Sequence, residues 1–590
     1  MEPVAETYDY DDFIQKTGDY DFEDDEVADL MEPEEYDEEQ LAQQQQLFQR
    51  ELQLQQQQAV EQLPDAVRNF ILYFHFCLKE NNVYELHGCY ENTFNRLTEK
   101  FYKNTSWPDP HTIANLVNND PLFLGLYTEM YYRHIYAKLQ PSLEDRFVSY
   151  ANYCDLFNYI FKSPTSSLPE LPINWAWDII DEFIYQFNSF ALFRSRAIKK
   201  AHNDEEVQLL LKHSDTWNTY SVLNVLYSFT QKSRMKEQLQ AMKEGRDPDT
   251  EVAGEDGQHP LYKTLGYFSI IGLLRVHTLL GDFTLALKTM EGIDLSKKNK
   301  FSRVASVQFT IYYYVGFCYM MLRRYADAIK AFSHILLYIA RTKNFHNRSA
   351  QYDAVSKRSD QMYALLTICV ALCPTRLDDS IHTTLREKNG EQLARLQRGG
   401  PETLPIYEEL FCFACPKFMP VAPLDSEPLR NADSLQHHLK VFMADVQNSL
   451  LAPTLRSYLK LYTTMDLEKL ATFLEMDPND LRAALVVFKQ KSQQLRWKEG
   501  SDSLLDGETI PVSDLDIVLD RDTIHIVEAK IGRKFGDWFL RNTAKYYVVQ
   551  DALSSKHPQK VEQKERYKDK KRERREKNPN HERNGEKESN

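Results

Sequence analysis

Close cysteine pairs are the residues whose type and spacing best suggest metal chemistry. Cys412 and Cys415 form a C-x-x-C pair, and Cys369 and Cys373 lie upstream with C-x-x-x-C spacing. Zinc requires four ligands in tetrahedral geometry, usually from two close pairs. The upstream pair lies within ALLTICVALCP, an apolar pattern that is typical of a buried helix, so we expect neither a metal site nor a cofactor. The wide spread of the eight cysteines indicates reduced thiols in a reducing compartment.

Sequence motifs that carry enzyme chemistry are missing. The chain has no G-x-x-x-x-G-K-[ST], G-x-G-x-x-G, H-E-x-x-H or G-x-S-x-G motif, and no H-x-H pair for a metalloisopeptidase centre. We therefore expect a protein that is not an enzyme. A hydrolase with an unrecognised site is an alternative, and metal analysis of the purified protein would test it.

Basic side chains near the C-terminus are the candidates for contact with nucleic acid. They lie on or after a predicted helix at 477–497, where such side chains can meet phosphates. These residues are Arg482, Lys489, Lys491, Arg496 and Lys498. Acidic residues follow closely and would cancel much of a basic field: Asp502, Asp506, Glu508, Asp514 and Asp516. The pattern favours protein docking, with RNA binding and a plain solvated helix face as alternatives.

Residues 455–530 show the pattern of a winged helix that would position these side chains. Apolar residues recur at helical spacing in 455–465 and 466–476, and a third helix has Asp477 as its expected N-cap and Pro478 at its first position. Two strands with period-two alternation follow at 513–520 and 523–530, joined at Arg521-Asp522. The second strand is expected to present an open edge from Thr523 to Glu528.

A heptad pattern follows the predicted winged helix. Its apolar seam is spaced four, three, four, three, four and consists of Phe535, Phe539, Asn542, Tyr546, Val549 and Leu553. Such a helix beyond a finished domain indicates packing against partner helices, and a buried Asn542 would fix the register. The alternative is that the helix folds back on its own domain.

The middle of the chain is predicted to be helical and repeated. Gly316, Tyr319, Ala328 and Phe332 have the small and large residue pattern of a tetratricopeptide hairpin. An earlier segment aligns with it at an offset of forty-two residues, so that Gly281 corresponds to Arg323. We expect a solenoid of such hairpins, with a generic helical core as the alternative. Breaks are predicted at 162–174, 243–260 and 415–431.

Charge is concentrated at the start of the chain. The net charge is −16, but residues 1–40 hold eighteen acidic residues against Lys16, so the remaining chain sums to +1. This segment is expected to be disordered, either as an interaction tail or as a solubilising one. The Gln-rich stretch after it favours a weak helix or a spacer. The C-terminal tail nets +5 with interleaved acids, which suggests solvated disorder or weak RNA contact.

Neither a secretory signal nor a membrane span is predicted, so we expect a cytosolic or nuclear protein, and most simply a cytoplasmic one. The predicted fold class is mainly α, with a TPR-like helical repeat solenoid, a C-terminal winged helix and a terminal helix between disordered ends. The predicted division is an acidic and Gln-rich region at 1–62, an aromatic-rich helical region at 63–260, helical repeats at 261–454, the winged helix at 455–530, a bundling helix at 531–555 and a charged tail at 556–590.

This layout resembles the PCI domain, a module of the proteasome lid, the signalosome and translation initiation factor 3. Longer strings carry a closer resemblance to the L-subunit family of the eukaryotic factor: NWAWDIIDEFIYQFNSF, HPLYKTLGYFSIIGLLRVHTLLGD, TIYYYVGFCYMMLRRYADAI, YEELFCFACPKF, LRSYLKLYTTM and TIHIVEAKIGRKFGDWF. The resemblance covers roughly residues 65–553, and both ends depart from it.

The resemblance implies a non-catalytic scaffold subunit of a factor that binds the small (40S) ribosomal subunit and promotes recruitment of initiator tRNA and mRNA. Neighbouring winged helices would assemble side by side and C-terminal helices would gather into a bundle, with the K and E subunits as expected partners. The docking candidates are then Thr523, His525 and Val527 together with the heptad seam. A PCI subunit of the proteasome lid or signalosome, or a winged-helix RNA-binding protein, is the alternative.

Overall fold

A computed structural model of the chain describes residues 58, 60–200, 205–293, 295, 304–346, 352–420, 433–498, 501, 503–528, 536, 538–554, 568–570 and 572. Within these residues the chain is mainly α-helical, as the sequence predicts. The predicted disordered regions at 1–62 and 556–590 lie almost entirely outside the described residues, and so does Phe535. None of the described helices is both long and apolar enough to cross a membrane.

The first half of the structure is a layer of aromatic-rich helices. Its α-helices are α1 Asp65–Lys79, α2 Val83–Gly88, α3 Phe94–Phe101, α4 Pro110–Ile113, α5 Pro121–Lys138, α6 Leu143–Lys162, α7 Ile173–Lys200, α8 Glu205–Lys212, α9 Thr219–Lys232, α10 Met235–Lys243, α11 Pro248–Glu251 and α12 Gly254–Gln258. Helix α6 begins with a capping box between Ser142 and Asp145. Trp175 stacks between Phe74 and Tyr90, with ring centroids 5.4 and 5.2 Å away, so these aromatics form core as expected.

Longer helical hairpins follow. Their helices are α13 Pro260–Leu280, α14 Phe283–Thr289, α15 Ala305–Met321, α16 Tyr325–His346, α17 Tyr352–Leu372, α18 Asp379–Arg398, α19 Leu404–Ala414 and α20 Ser434–Gln447. The backbone is left-handed at Gly281 (φ +90°) and at Arg323 (φ +63°), the two positions that the repeat alignment pairs. A Cβ atom added at Gly316 would lie 2.6 Å from the Phe332 ring, so the small residue lets α15 and α16 approach closely.

One hydrophobic cluster runs from Val67 to Leu504 and crosses residue 260 without interruption. Helices α7 and α9 both pack on α13, which joins the aromatic-rich helices to the hairpins. The predicted breaks coincide with the ends of α6, α10 and α19, but the main chain returns to the same core after each of them. These helices therefore form one body, which we call the helical body.

A smaller unit with its own hydrophobic cluster, here called the C-terminal unit, follows the helical body. Its elements are α21 Ala452–Leu459, β1 Thr464–Asp466, α22 Leu467–Leu474, α23 Pro478–Lys491, β4 Leu515–Asp520 and β5 Thr523–Glu528, and a hairpin of β2 Gln493–Arg496 and β3 Glu508–Pro511 lies between α23 and β4 in the chain. Strands β1, β5 and β4 form an antiparallel sheet in that order, and β2 pairs with β3. Helix α23 begins as predicted, because Asp477 accepts the N–H of Asn479 at 3.0 Å and Pro478 follows it.

Candidate protein interface

The three-stranded sheet has one buried face and one exposed face. Leu515, Ile517 and Ile524 are buried against α21, α22 and α23. Thr523, His525 and Val527 alternate with the inward residues of β5 and are exposed. The structure therefore brings these three docking candidates together on the outer face of the sheet.

The expectation of an open edge from Thr523 to Glu528 is wrong. Strand β5 is central, because Thr464–Asp466 pairs with Thr523–His525 and the Ile526 N–H donates to Thr463 O at 2.8 Å. The sequence predicts a first helix that reaches Met465, whereas α21 ends at Leu459 and residues 464–466 form β1. The β-branched pair Thr463-Thr464 was the available signal for a strand.

The exposed edge next to α23 belongs to β4 instead. Backbone groups of Ile517 point away from β5, since its N–H donates to Asp516 Oδ1 and its carbonyl accepts from Lys489 Nζ at 2.7 Å. Beside this edge a groove runs between α23 and β4, lined by apolar side chains that include Val486 and Ile517 and by the polar side chains of Lys489, Gln490 and Gln493. Val486 is 47% exposed, so the groove offers apolar surface to a docking chain.

Most of the predicted RNA-contacting side chains pair within the molecule. Arg482 binds Asp522 at 2.7 Å, Lys489 also lies 3.6 Å from Asp516, and Lys498 binds Glu508 at 2.7 Å. Lys491 turns inward and donates to the side chain of Asp445 at 3.0 Å. Arg496 is exposed on β2. The five residues do not form one cationic surface, because acidic partners neutralise four of them.

The outer face of the sheet is acidic rather than basic. Its exposed side chains include Asp466, Asp516 and Asp520 beside the exposed valines 518 and 527. At the start of β4, Asp514 is buried, which alone would raise its pKa, but hydrogen bonds from Lys460 and Arg456 lower that pKa to about 2. Phosphates would meet net negative charge here, so this face suits a protein partner better than RNA.

Residues 538–554 form a helix, here called the terminal helix, whose apolar side chains are exposed on every side. The seam residues Phe539, Tyr546, Val549 and Leu553 are 54% to 72% exposed. Asn542 is half-buried and donates to the carbonyl of Trp538 at 3.0 Å in its own helix. The terminal helix does not fold back on its own domain within the described residues.

A second apolar stripe lies on the other side of the terminal helix. Leu540, Ala544, Tyr547 and Val548 are spaced i, i+4, i+7 and i+8, and the three larger ones are 63% to 70% exposed. The sequence prediction includes the seam but not this second stripe. A helix that is apolar all round is normally buried on both sides, which requires more than one neighbouring helix.

The cysteines do not assemble into a site among the described residues. Cys369 and Cys373 are buried in or at the end of α17, whereas Cys412 is exposed on α19. No group of three or more His, Cys, Asp and Glu side chains that could hold a metal ion occurs in the described part of the chain.

The segment between α23 and β4 forms a hairpin that the sequence pattern does not predict. The third helix was expected to reach Trp497, but α23 ends at Lys491 and the chain turns into the β2–β3 hairpin. Trp497, Leu504, Leu505 and Val512 pack on the core of the helical body rather than on the C-terminal unit. We call the described part of residues 493–512, which is 493–498, 501 and 503–512, the clasp. The β-branched Thr509-Ile510 pair was the local signal for its second strand.

Comparisons with known proteins decide the family. The family model described as RNA polymerase I-associated factor PAF67 matches residues 145–546. The eukaryotic translation initiation factor 3 subunit L of Yarrowia lipolytica is 57% identical over 519 residues, which are 88% of this chain and 94% of that protein. This chain belongs to the eukaryotic translation initiation factor 3 subunit L family.

Other subunit L proteins show the same relationship. That of Mycosarcoma maydis is 50% identical over 505 residues, covering 84% of this chain and 75% of the relative. That of Emericella nidulans is 59% identical over 410 residues, covering 69% and 86%. The similarity to the subunit L family therefore extends over most of the helical body and the C-terminal unit.

Proposed function

We propose that this chain is a non-catalytic scaffold subunit of translation initiation factor 3. The observation that carries the proposal is the terminal helix, which exposes apolar side chains all round although it follows a finished unit. Exposed apolar side chains on every side of a helix favour burial against neighbouring helices, so the terminal helix suits a multi-helix bundle. Relatives at 50% to 60% identity are named as subunits of the factor, which agrees with such a role.

In this proposal residues 261–454 are the helical part and 455–530 the winged helix of a PCI domain. The winged helix has apolar surface on two sides. One is the groove between α23 and β4, and the other includes Leu461 and Phe473, which are 73% and 43% exposed near β1. Two such sides suit two neighbours, and the K and E subunits are the candidates implied by family resemblance. The factor as a whole would bind the 40S ribosomal subunit and help recruit initiator tRNA and mRNA in the cytoplasm.

Charged substitutions on the seam test the proposal. Changing Phe539 and Tyr546 to Asp places two charges where partner helices would pack, so we expect at least tenfold less co-purification of factor 3 subunits. Helical content by circular dichroism should not change, because both side chains are exposed in the isolated chain. Quantitative mass spectrometry of proteins bound to the tagged chain gives the readout.

A matched control uses the same helix and the same seven-residue spacing. Changing Thr543 and Gln550 to Asp adds the same charge at exposed polar positions, and recovery should stay near that of the wild type. Full recovery of the factor by the Phe539 and Tyr546 variant would contradict the proposal. Recovery by the wild type of proteasome-lid, signalosome or RNA polymerase I subunits in place of factor 3 subunits would also contradict it.

A further inference from the structure

The turn between α15 and α16 carries side chains that its counterpart one hairpin earlier does not. In the forty-two-residue alignment Arg324 corresponds to Asp282, and Asp327 corresponds to Leu285. Both turns begin with a residue in the left-handed conformation, Gly281 in one and Arg323 in the other. The later turn in addition has a buried ion pair, with Arg324 and Asp327 side chains 6% and 3% exposed.

Arg324 binds the clasp through three hydrogen bonds of its guanidinium and pairs with Asp327 on its own helical hairpin. Its Nη1 donates to the carbonyls of Leu504 and Leu505 at 3.1 and 2.8 Å. Its Nη2 donates to the carbonyl of Asp506 at 3.1 Å and contacts Asp327 Oδ2 at 2.7 Å, while Nε donates to the same oxygen at 2.9 Å. Four of the five guanidinium donors thus make hydrogen bonds, and the ion pair with Asp327 adds to them.

Asp327 holds the other strand of the clasp. Both of its carboxylate oxygens lie 3.0 Å from the backbone nitrogen of Trp497, whose N–H they accept. The Lys330 ammonium lies 5.3 Å from the centroid of the Trp497 ring, and the Tyr319 hydroxyl donates to Leu504 O at 2.9 Å. Residues at and beside one turn of the helical body thus contact the clasp in two places, at Trp497 after β2 and at Leu504 before β3.

A second tether starts from the same turn. The buried carboxylate of Asp445 on α20 accepts from the Tyr325 hydroxyl at 2.5 Å and pairs with Arg323 at 3.0 Å. Lys491, at the end of α23, also binds Asp445. Helix α23 is the last helix of the winged helix, so this carboxylate joins the helical body, the turn and the winged helix.

We propose that Arg324 and Asp327 are positioning residues that lock the clasp to the helical body and so fix the direction in which the winged helix presents its docking surfaces. The winged helix has a hydrophobic cluster separate from that of the helical body, so the two parts need specific contacts to keep one orientation. The clasp supplies these contacts through a satisfied, buried polar network. This inference rests on the proposed scaffold function, because orientation matters only if partners dock on both parts.

Substitution of Arg324 by Met tests the inference in the full chain. Probes are attached at Lys288→Cys on α14 and Lys469→Cys on α22, both exposed, after the three cysteines that are not buried, Cys154, Cys412 and Cys415, are changed to Ser. We expect the distribution of distances between the probes to broaden, the amide of Trp497 to exchange at least tenfold faster, and recovery of factor 3 subunits to fall at least fivefold.

Arg341→Met is the matched control. It removes the same charge from an exposed side chain later on α16, away from the clasp and from Asp445, and should retain a narrow distance distribution and full recovery. Tyr319→Phe removes one hydroxyl and should give an intermediate broadening. If Arg324→Met loses helical content, the distance distribution of Tyr319→Phe shows whether the clasp holds the two parts in one orientation.

Two results would overturn the inference. One is a distance distribution that stays narrow in both Arg324→Met and Tyr319→Phe, and the other is a broadened distribution with undiminished recovery of the partners. Failure of the scaffold function itself is distinguishable, because the wild-type chain would then recover no factor 3 subunits. The probe distances in the isolated chain would still report whether the clasp holds the two parts together.

Discussion

Single charged residues of the C-terminal unit favour protein contact over RNA binding. Sequence reading counted Arg482, Lys489 and Lys491 as potential phosphate ligands, and the structure places an acidic partner beside each of them. A phosphate would have to displace these ion pairs before it gained any attraction. Pairing of this kind depends on distant positions such as Asp445, which no local sequence pattern links to Lys491.

Arg496 tests the RNA alternative most directly because it is exposed on β2 and belongs to the predicted basic set. We expect Arg496→Glu to leave RNA affinity unchanged at 50 mM and 200 mM salt. A true phosphate contact would instead reduce the affinity and lower the salt slope by about one. Filter binding or anisotropy with labelled single-stranded RNA measures both quantities, and a lowered slope would favour the RNA-binding reading.

The Asp514 carboxylate is expected to make a pH-dependent contribution to the stability of the C-terminal unit. Burial raises its pKa, but the hydrogen bonds from Lys460 and Arg456 outweigh burial and lower the pKa to about 2, below the ordinary 3.8. A lowered pKa stabilises the fold above pH 4 and this contribution is lost as the pH falls towards 2. Asp514→Asn should therefore cost about 2 kcal/mol near pH 6 and much less near pH 2.

The measurement is hydrogen exchange of β4 and β5 amides at several pH values. Asp516→Asn is the control, since the Asp516 side chain is 61% exposed and lies 3.6 Å from Lys489. Its effect should stay within about 0.5 kcal/mol at every pH. Equal destabilisation by the two variants would show that the buried carboxylate has no special role.

Among the helices and strands, periodicity predicted those that bury one face. The apolar spacing of Leu455 and Leu459, the Asp477 cap and the alternation in β4 and β5 all appear in the structure. Strands β1, β2 and β3 were missed because each has only three or four residues, too few to show a period-two pattern. Strand β1 pairs with the distant β5, whereas β2 and β3 pair with each other, and a short local pattern reveals neither pairing.

Close packing of α15 on α16 gives a prediction for one glycine. Gly316→Ala would place a Cβ 2.6 Å from the Phe332 ring, so the helices must separate or the ring must shift. We expect a loss of about 1 to 3 kcal/mol in the free energy of unfolding, measured by denaturant titration. Gly88→Ala is the control, because nothing lies within 4 Å of its added Cβ and alanine favours the helix there. Equal effects would exclude close packing as the reason for Gly316.

For the whole molecule, the sequence predicted a helical body followed by a small docking unit, but not how the two are joined. The clasp depends on Arg324 and Trp497, which are separated by more than 170 positions and have no shared motif. Composition and periodicity describe each segment by itself. The contacts between the Arg324 guanidinium and the carbonyls of the clasp form only when distant parts of the chain pack together.

The acidic residues at 1–40 are expected to keep the chain soluble through their charge. Removing residues 1–40 takes away a net charge of −17 and leaves the chain at +1. A protein near zero net charge loses electrostatic repulsion between copies, so solubility at pH 7 should fall severalfold. The midpoint of thermal unfolding should not change if the segment acts only through its charge. Precipitation by polyethylene glycol and calorimetry measure the two effects.

A control chain replaces residues 1–40 with a neutral Gly/Ser segment of the same length, which separates loss of charge from loss of length. Both altered chains should lose solubility to the same extent, and both should still recover factor 3 subunits. If deletion also removed the partners while the terminal helix remained intact, the acidic segment would be an interaction tail. Charge on the first forty residues would then add a docking element to the winged helix and the terminal helix.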